Sequence, residues 1–357
     1  MKRIVLTGGP CAGKTTALVK IIEHFSSLGY KVFIIPEVPT LLSQAGMDYL
    51  TTNKNFFYEG EKATLEMQIA LEDKFVRMAE TLDVPSIIVC DRGTLDISAY
   101  MKHDMWEEIT SNMGLNSEVL RQRYDAILHL VSAADGAEEF YTNSTNSERT
   151  EDIELARELD KKVIRAWMGH PHLRVINNHD DFNKKINHVL QEISGVLELP
   201  QPIVEERKYI VRVLDKIPGA IESKISQTYL TSEPRSEVRL RRRTLNGTSV
   251  NVRTTKKTLD NNEQVETEQR IDNNLYESLL RQADPYRRTI LKRRTTFIWK
   301  GQFFELDTFI EPNKGLQILE TKGIVAHEDI NFPPFLEICE DITGNTIYYN
   351  YNLALGK

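Results

Sequence analysis

MKRIVLTGGPCAGKTT, Met1 to Thr16, joins a short apolar run to the pattern Gly8-x-x-x-x-Gly13-Lys14-Thr15. Ile4, Val5 and Leu6 read as a buried strand, and the glycines let the chain turn tightly enough for backbone N–H groups to converge on phosphate oxygens. Gly8, Gly9, Ala12, Gly13, Lys14, Thr15 and Thr16 are therefore the expected contacts of a nucleoside triphosphate. Lys14 is expected along the β- and γ-phosphates, and the Thr15 hydroxyl on Mg2+, a cation that prefers oxygen ligands. Leu18, Ile21, Ile22, Phe25 and Leu28 follow at helical spacing, and Gly29 stands where that helix should stop.

Working outward, residues 1–198 alternate short apolar runs with helical stretches, the pattern of a parallel sheet with helices on both faces. The expected strands are Ile4 to Leu6, Val32 to Ile35, Ser86 to Cys90, Ala126 to Val131 and Val175 to Ile176. The polar, aperiodic stretch from Ala134 to Asp152 reads as a loop or lid. Pro200 and Pro202 mark a linker from Leu199 to Ile203, so a second domain is expected over 203–357. A chain of 357 residues suits two such domains. The expected fold is an α/β P-loop domain followed by an antiparallel β-barrel, or tunnel, of α+β type.

The net charge of −7 argues against bulk nucleic-acid binding. Cys11, Cys90 and Cys339 form neither a disulfide framework nor a metal spacing, which points to a cytoplasmic protein. No stretch is long and apolar enough to span a bilayer, and a peripheral membrane contact is compatible with the sequence.

In the first half, Ile87 to Val89 run into Asp91-Arg92-Gly93, which places a carboxylate at the carboxyl end of a strand, where open α/β sheets bind ligands. Asp91 is the expected second magnesium residue beside Thr15. Val32 to Ile35 run into Pro36-Glu37, and Glu37 is a candidate general base or water-orienting group. Arg92 and, at the edge of the lid, Arg149 are candidates to neutralise phosphoryl charge. Gln68 could hold a substrate edge or be an exposed helix residue. His170-Pro171-His172 reads as a turn before the last strand.

After Val204, charged residues recur at every second position of successive strand-like runs. Glu206 and Lys208 share a parity, as do Arg239, Arg241 and Arg243, Glu266 and Glu268, Lys292 and Arg294, Glu305 and Asp307, and Glu320 and Lys322. Residues two apart on a strand face the same side. Val238, Leu240, Leu291, Phe304, Leu306 and Leu319 fall on the other parity, which suits a packed face. One sheet with a charged, inward face is expected, and the basic excess between Arg235 and Lys257 suggests a polyanionic ligand.

GGPCAGKT, Pro36-Glu37 and Cys90-Asp91-Arg92-Gly93 resemble the P-loop kinase branch of deoxynucleoside and thymidylate kinases and the nicotinamide riboside kinase domain. That resemblance implies Lys14, Glu37, Asp91 and Arg92 as the catalytic set. The Asn-Lys-x-Asp base reader of small GTPases is absent, and GTP and ATP are not separated. VEERKYIV from Val204, VRLR from Val238, the Lys256-Lys257 region, ETE from Glu266, KRR from Lys292, ELD from Glu305 and LETK from Leu319 resemble CYTH-like triphosphate tunnel proteins. The implied tunnel ligand set is Glu206, Lys208, Arg239, Arg241, Lys256, Glu266, Glu268, Lys292, Arg294, Asp307 and Glu320. Val204 and Lys322 replace carboxylates of the family pattern, which weakens a metal grip more than an anion grip. The domain order resembles the TRPL translocation defect protein family, which implies GTP in the first half and an anionic phospholipid such as phosphatidic acid in the second. A nucleotide-dependent switch or slow NTPase is the expectation, with a nucleoside-type kinase or a tunnel triphosphatase as alternatives.

Overall fold

In the computed structural model, residues 1–137, 153–178, 181–199, 207–258, 264–300, 302–321 and 330–355 are described. The expected lid beyond residue 137 with Arg149, the linker prolines, Val204, Glu206 and Lys322 lie outside them. The chain divides into two compact units, Met1–Ile193 and Ser194–Lys357.

The first unit is built on β1 (Lys2–Thr7), β2 (Lys31–Ile35), β3 (Ser86–Asp91), β4 (Ala126–Leu130) and β5 (Leu173–Ile176). They form a parallel sheet in the order β2-β3-β1-β4-β5. Each expected strand is present. Ile4, Val5, Leu6, Ile87, Ile88, Val89, Ile127 and Leu128 are fully buried, which is why the central strands read as unbroken apolar runs. Helices α1 (Lys14–Ser27), α2 (Val38–Gln44), α3 (Lys54–Glu80), α4 (His103–Asn112), α5 (Ser117–Arg121) and α6 (Ile153–Trp167) belong to the unit, and α7 (Phe182–Val196) ends three residues past its boundary. The α1 stripe is narrower than its sequence suggests. Ala17, Ile21 and Phe25, four apart, are buried, while Ile22 and Leu28 are 41% and 51% exposed because they turn off that row. Gly29 ends the helix at φ 85° as expected.

The second unit holds β6 (Arg207–Val213), β7 (Ile221–Leu230), β8 (Ser236–Leu245), β9 (Thr248–Thr258), β10 (Gln264–Ile271), β11 (Ile290–Trp299), β12 (Gln302–Glu311), β13 (Gln317–Thr321) and β14 (Leu336–Asp341), with α8 (Asn273–Leu280) and α9 (Asn350–Leu353). Among the described residues the order is β10-β9-β8-β7-β11-β12-β13-β6-β14, antiparallel throughout. The ladders pair Arg294 with Asp307, Glu320 with Lys208, and Lys256 with Glu266. The charged parities thus share one face.

Both faces are buried. Tyr209, Val211, Phe297, Phe304, Leu306 and Leu319 form a core on the apolar face with Ile330 and Phe335. On the charged face Asp307, Lys292, Glu320 and Arg294 are 1%, 2%, 7% and 8% exposed. The charged parity is therefore the inner side of the sheet, as expected, and not a solvated one. Leu291 departs from the pattern. It is 38% exposed, next to a register shift between Leu291 and Lys292. At one end the charged face turns apolar, where Tyr229, Ile290, Phe309 and Ile318 pack against Ile342 and against Leu353 and Ala354 at α9.

Candidate functional site

In the first unit the strand register gathers the expected residues at one edge. Leu6 pairs with Asp91 and Thr7 with His129, so the loop after β1 opens beside the carboxyl ends of β3 and β4. Gly8 sits at φ 144°, and a Cβ there would lie 2.1 Å from the Leu130 carbonyl oxygen, so only glycine fits. Gly13, at φ 87°, turns the chain into α1 as its N-cap residue. Ala12 is buried, whereas Thr15 and Thr16 are exposed on the first turn of α1. The amides ahead of a helix N-terminus and that positive helix end are a favourable environment for phosphate.

The Lys14 ammonium lies 3.3 Å from the Gly8 carbonyl and 3.5 Å from that of Gly9. Burial lowers its pKa, and Arg92 lowers it further against the opposing pull of Asp91, Glu37 and Asp96. Arg92 Nε donates to Glu37 Oε1 at 2.5 Å, and Thr40 Oγ1 donates to Glu37 Oε2 at 3.1 Å. Burial alone would raise the Glu37 carboxyl, but Arg92 and Lys14 outweigh it and hold the pKa below the ordinary value. The Arg92 guanidinium also stacks 5.4 Å from the Tyr100 ring, and its backbone takes φ 68°, a conformation that costs a non-glycine residue energy. Burial raises Asp91, with Glu37 and Asp96 adding to the effect, and among the described residues its Oδ1 is buried with no hydrogen-bond partner. Lys14, Glu37, Asp91 and Arg92 are thus one electrostatic group.

A carboxylate oxygen without a donor, at the strand end beside the phosphate loop, suits a hard divalent cation completed by phosphate and water. Among the described residues there is no cluster of three or more His, Cys, Asp or Glu able to hold a metal by protein ligands alone.

Several residues at this edge carry no clear sequence signal. Asp96 accepts from the Thr7 hydroxyl, from Gly93 N at 2.7 Å and from Trp167 Nε1 at 3.2 Å. Its spacing from Gly93 is a capping pattern visible in retrospect. Asp160, on α6, accepts from Gly9 N at 2.6 Å and lies 3.2 Å from His129 Nε2. A Cβ on Gly9 would meet the Asp160 carboxylate at 2.7 Å, so the second glycine permits this close approach. Burial would raise Asp160, yet His129 and the Gly9 and Ser132 backbone bring its pKa below the ordinary value. Lys185 donates to the Val131 carbonyl at 2.8 Å and to Asn178 Oδ1 at 2.6 Å, and burial lowers its pKa to about 8. Gln68 is not an exposed helix residue. It is 2% exposed and donates to Glu72, which also accepts from Tyr124, Arg3 and Arg123. His170-Pro171-His172 leads directly into β5, as read.

The Asp160 contact yields a test. Replacing Asp160 by asparagine removes a charge-assisted bond that pins the loop at Gly9, and the nucleotide dissociation constant is expected to rise about tenfold. Isothermal titration against the unaltered protein reads this, and an unchanged constant would show that the contact only props the fold.

In the second unit the predicted residues separate into two groups on the same face. Arg294 binds Asp307 through Nε and Nη2, both at 2.7 Å, and reaches Glu305 at 2.6 Å and Glu320 at 3.2 Å. Lys292 donates to Asp307 at 2.6 Å, and Lys208 to Glu320 at 3.0 Å. Across β7, Arg239 Nη2 meets Glu266 at 3.1 Å, Arg241 Nη2 meets Glu268 at 3.1 Å, and Lys256 meets Glu266 at 3.1 Å. The carboxylates Glu266, Glu268 and Glu320 all face cations rather than one another.

The loop, the lysine and the strand-end carboxylate define the first unit as a P-loop nucleotide-binding domain. Residues 3–185 match the family model AAA_28, described as AAA domain, over just more than half of the chain, and the chain belongs to that family. No curated protein matches it. Among solved structures, the hypothetical protein NE1496 is similar at 28% identity and TM-score 0.34, covering 43% of this chain and 99% of that one. A structure of the inorganic triphosphatase NE1496 gives 28% identity and TM-score 0.33, covering 43% and 97%. PH1819 protein from Pyrococcus horikoshii OT3 gives 19% identity and TM-score 0.26, covering 36% and 81%. These are likenesses alone. No described helix is long and apolar enough to cross a membrane.

Proposed function

We propose that the first unit binds GTP or ATP with Mg2+, and that the second binds a phosphorylated anion such as phosphatidic acid on its charged inner face. The chain is then a nucleotide-dependent binding protein with slow hydrolytic capacity. The observation that carries the reading is the meeting of the Gly8–Thr15 loop, Lys14 and the donorless Asp91 oxygen at one strand edge. Lys14 and the loop amides would hold the phosphates, Thr15 and Asp91 the cation, which supplies charge neutralisation when bound. Arg92 would face the terminal phosphate, as Arg149 would from the segment that follows β4. The resemblance in domain order to the TRPL translocation defect family supports the lipid end of this reading.

A kinase would use Glu37 as base. Its carboxylate is held by Arg92 and Thr40 at a depressed pKa, which weakens it for that task and favours the switch. The test is titration of the full chain with GTP and ATP, with and without Mg2+, followed by assay of phosphate release. Triphosphate binding at least about tenfold tighter with Mg2+, and turnover indifferent to added nucleosides, are expected. Nucleoside-stimulated diphosphate formation that disappears in Glu37→Gln would overturn the switch in favour of a kinase.

A further inference from the structure

The two ion-pair groups on the inner face differ in depth. In the inner group, Lys208, Lys292 and Arg294 meet Glu305, Asp307 and Glu320, three cations against three carboxylates. Lys292 and Asp307 are 2% and 1% exposed, and Lys292 also reaches Asn350 of α9 at 3.4 Å. Drawing a ligand into that group would strip buried carboxylates of their partners, which is costly. The other group sits toward the β10 edge. There Arg239, Arg241 and Lys256 face Glu266 and Glu268, with side-chain exposures of 14%, 17% and 35% for the cations and 29% and 21% for the carboxylates. Glu237 stands beside Arg239 and Lys256 as a third carboxylate, its pKa raised by burial against the pull of those two cations. Among the described residues Arg239 Nε is buried with no hydrogen-bond partner.

Both carboxylates come from β10, the edge strand, while the guanidinium groups stand on the interior strand β8. Glu266 bridges Arg239 and Lys256, and Glu268 accepts from Arg241 and from Thr254 Oγ1 at 3.2 Å. Between them the two glutamates place two negative charges on three cations. A phosphate monoester or a terminal phosphate of a polyphosphate offers the same two charges on one group with more acceptor oxygens. A phosphodiester offers one charge and cannot replace both.

Resting on the reading of this face as an anion site, we propose that Arg239, Arg241 and Lys256 are its ligand subsite, that Glu266 and Glu268 fill it in the ligand-free protein, and that it selects doubly charged phosphate over phosphodiester. Lys292 and Arg294 belong to the structural group. The glutamates act as built-in competitors and not as metal ligands, so removing their charge strengthens binding.

The experiment uses the full chain in a Lys14→Ala background with EDTA, so that neither the first unit nor a metal contributes. Titration with inorganic tripolyphosphate is expected to show binding that tightens at least about tenfold in E266Q/E268Q and vanishes in R239A/R241A. Equal or weaker binding in E266Q/E268Q overturns the competitor role while leaving the anion face intact. Undiminished binding in R239A/R241A overturns the face itself. Should the double glutamine variant fold poorly, E266Q and E268Q singly are each expected to tighten binding about threefold, and no tightening in either overturns the proposal.

Phosphatidylcholine vesicles carrying either phosphatidic acid or phosphatidylglycerol separate a lipid source from a soluble one. A preference of the full Lys14→Ala chain for the monoester vesicles, with binding tightened in E266Q/E268Q and lost in R239A/R241A, supports a lipid headgroup. Binding of tripolyphosphate with no vesicle binding supports a soluble polyphosphate. Equal binding to both vesicle types overturns the two-charge requirement.

Discussion

Lys14→Ala is expected to raise the dissociation constant for a nucleoside triphosphate by at least about a hundredfold, close to 3 kcal/mol. Among the described residues its ammonium makes long contacts to the Gly8 and Gly9 carbonyls, at 3.3 and 3.5 Å. Those carbonyls are poor partners for a buried cation, and burial together with Arg92 depresses its pKa. Phosphate oxygens supply the charge that the carbonyls lack. The binding loss should therefore come without loss of fold, and thermal unfolding of the variant should match that of the unaltered chain to within about 0.5 kcal/mol. Isothermal titration beside circular dichroism checks both halves of the statement. Unchanged affinity would refute the assignment of the loop.

Asp307→Asn is expected to cost the second unit about 3–5 kcal/mol. Asp307 is 1% exposed and accepts from Lys292 once and from Arg294 twice. The asparagine keeps the volume and removes the charge that holds two buried cations. Hydrogen exchange of peptides from β11 to β13 in the full chain localises the loss, and a change below about 1 kcal/mol would show the pairing to be dispensable. The same group sets an acid limit. Burial would raise Asp307, yet Arg294 and Lys292 hold it far below the ordinary carboxylate value. A carboxyl whose folded pKa is depressed contributes stability that is present above its unfolded pKa, about 3.9, and is lost as pH falls through the folded value. The second unit should thus hold this contribution through neutral and mildly acid solution, and lose it only below about pH 4.

The parts of the fold legible in the sequence are those where one local signal suffices. Apolar runs located all five strands of the first sheet, because strands buried on both faces tolerate few polar residues. Period-two charge found the inner face of the second sheet, because strand geometry alone sorts side chains by parity. Pairing across strands was not legible. Nothing local distinguishes Arg294, locked to Asp307 with its neighbour, from Arg239, which meets glutamates of an edge strand. Asp160 was equally hidden, since its contact to Gly9 joins residues 151 apart and depends on where α6 lands. Gln68 and Ile22 show the converse, residues whose type suggested one environment and whose helix phase imposed another.

The packing of Leu353 and Ala354 against Phe309, Ile290 and Ile318 stoppers one end of the inner face with hydrocarbon. Those strand positions are thereby taken out of reach of any anion, so the proposed phosphorylated ligand would have only the charged stretch of the same strands to hold it.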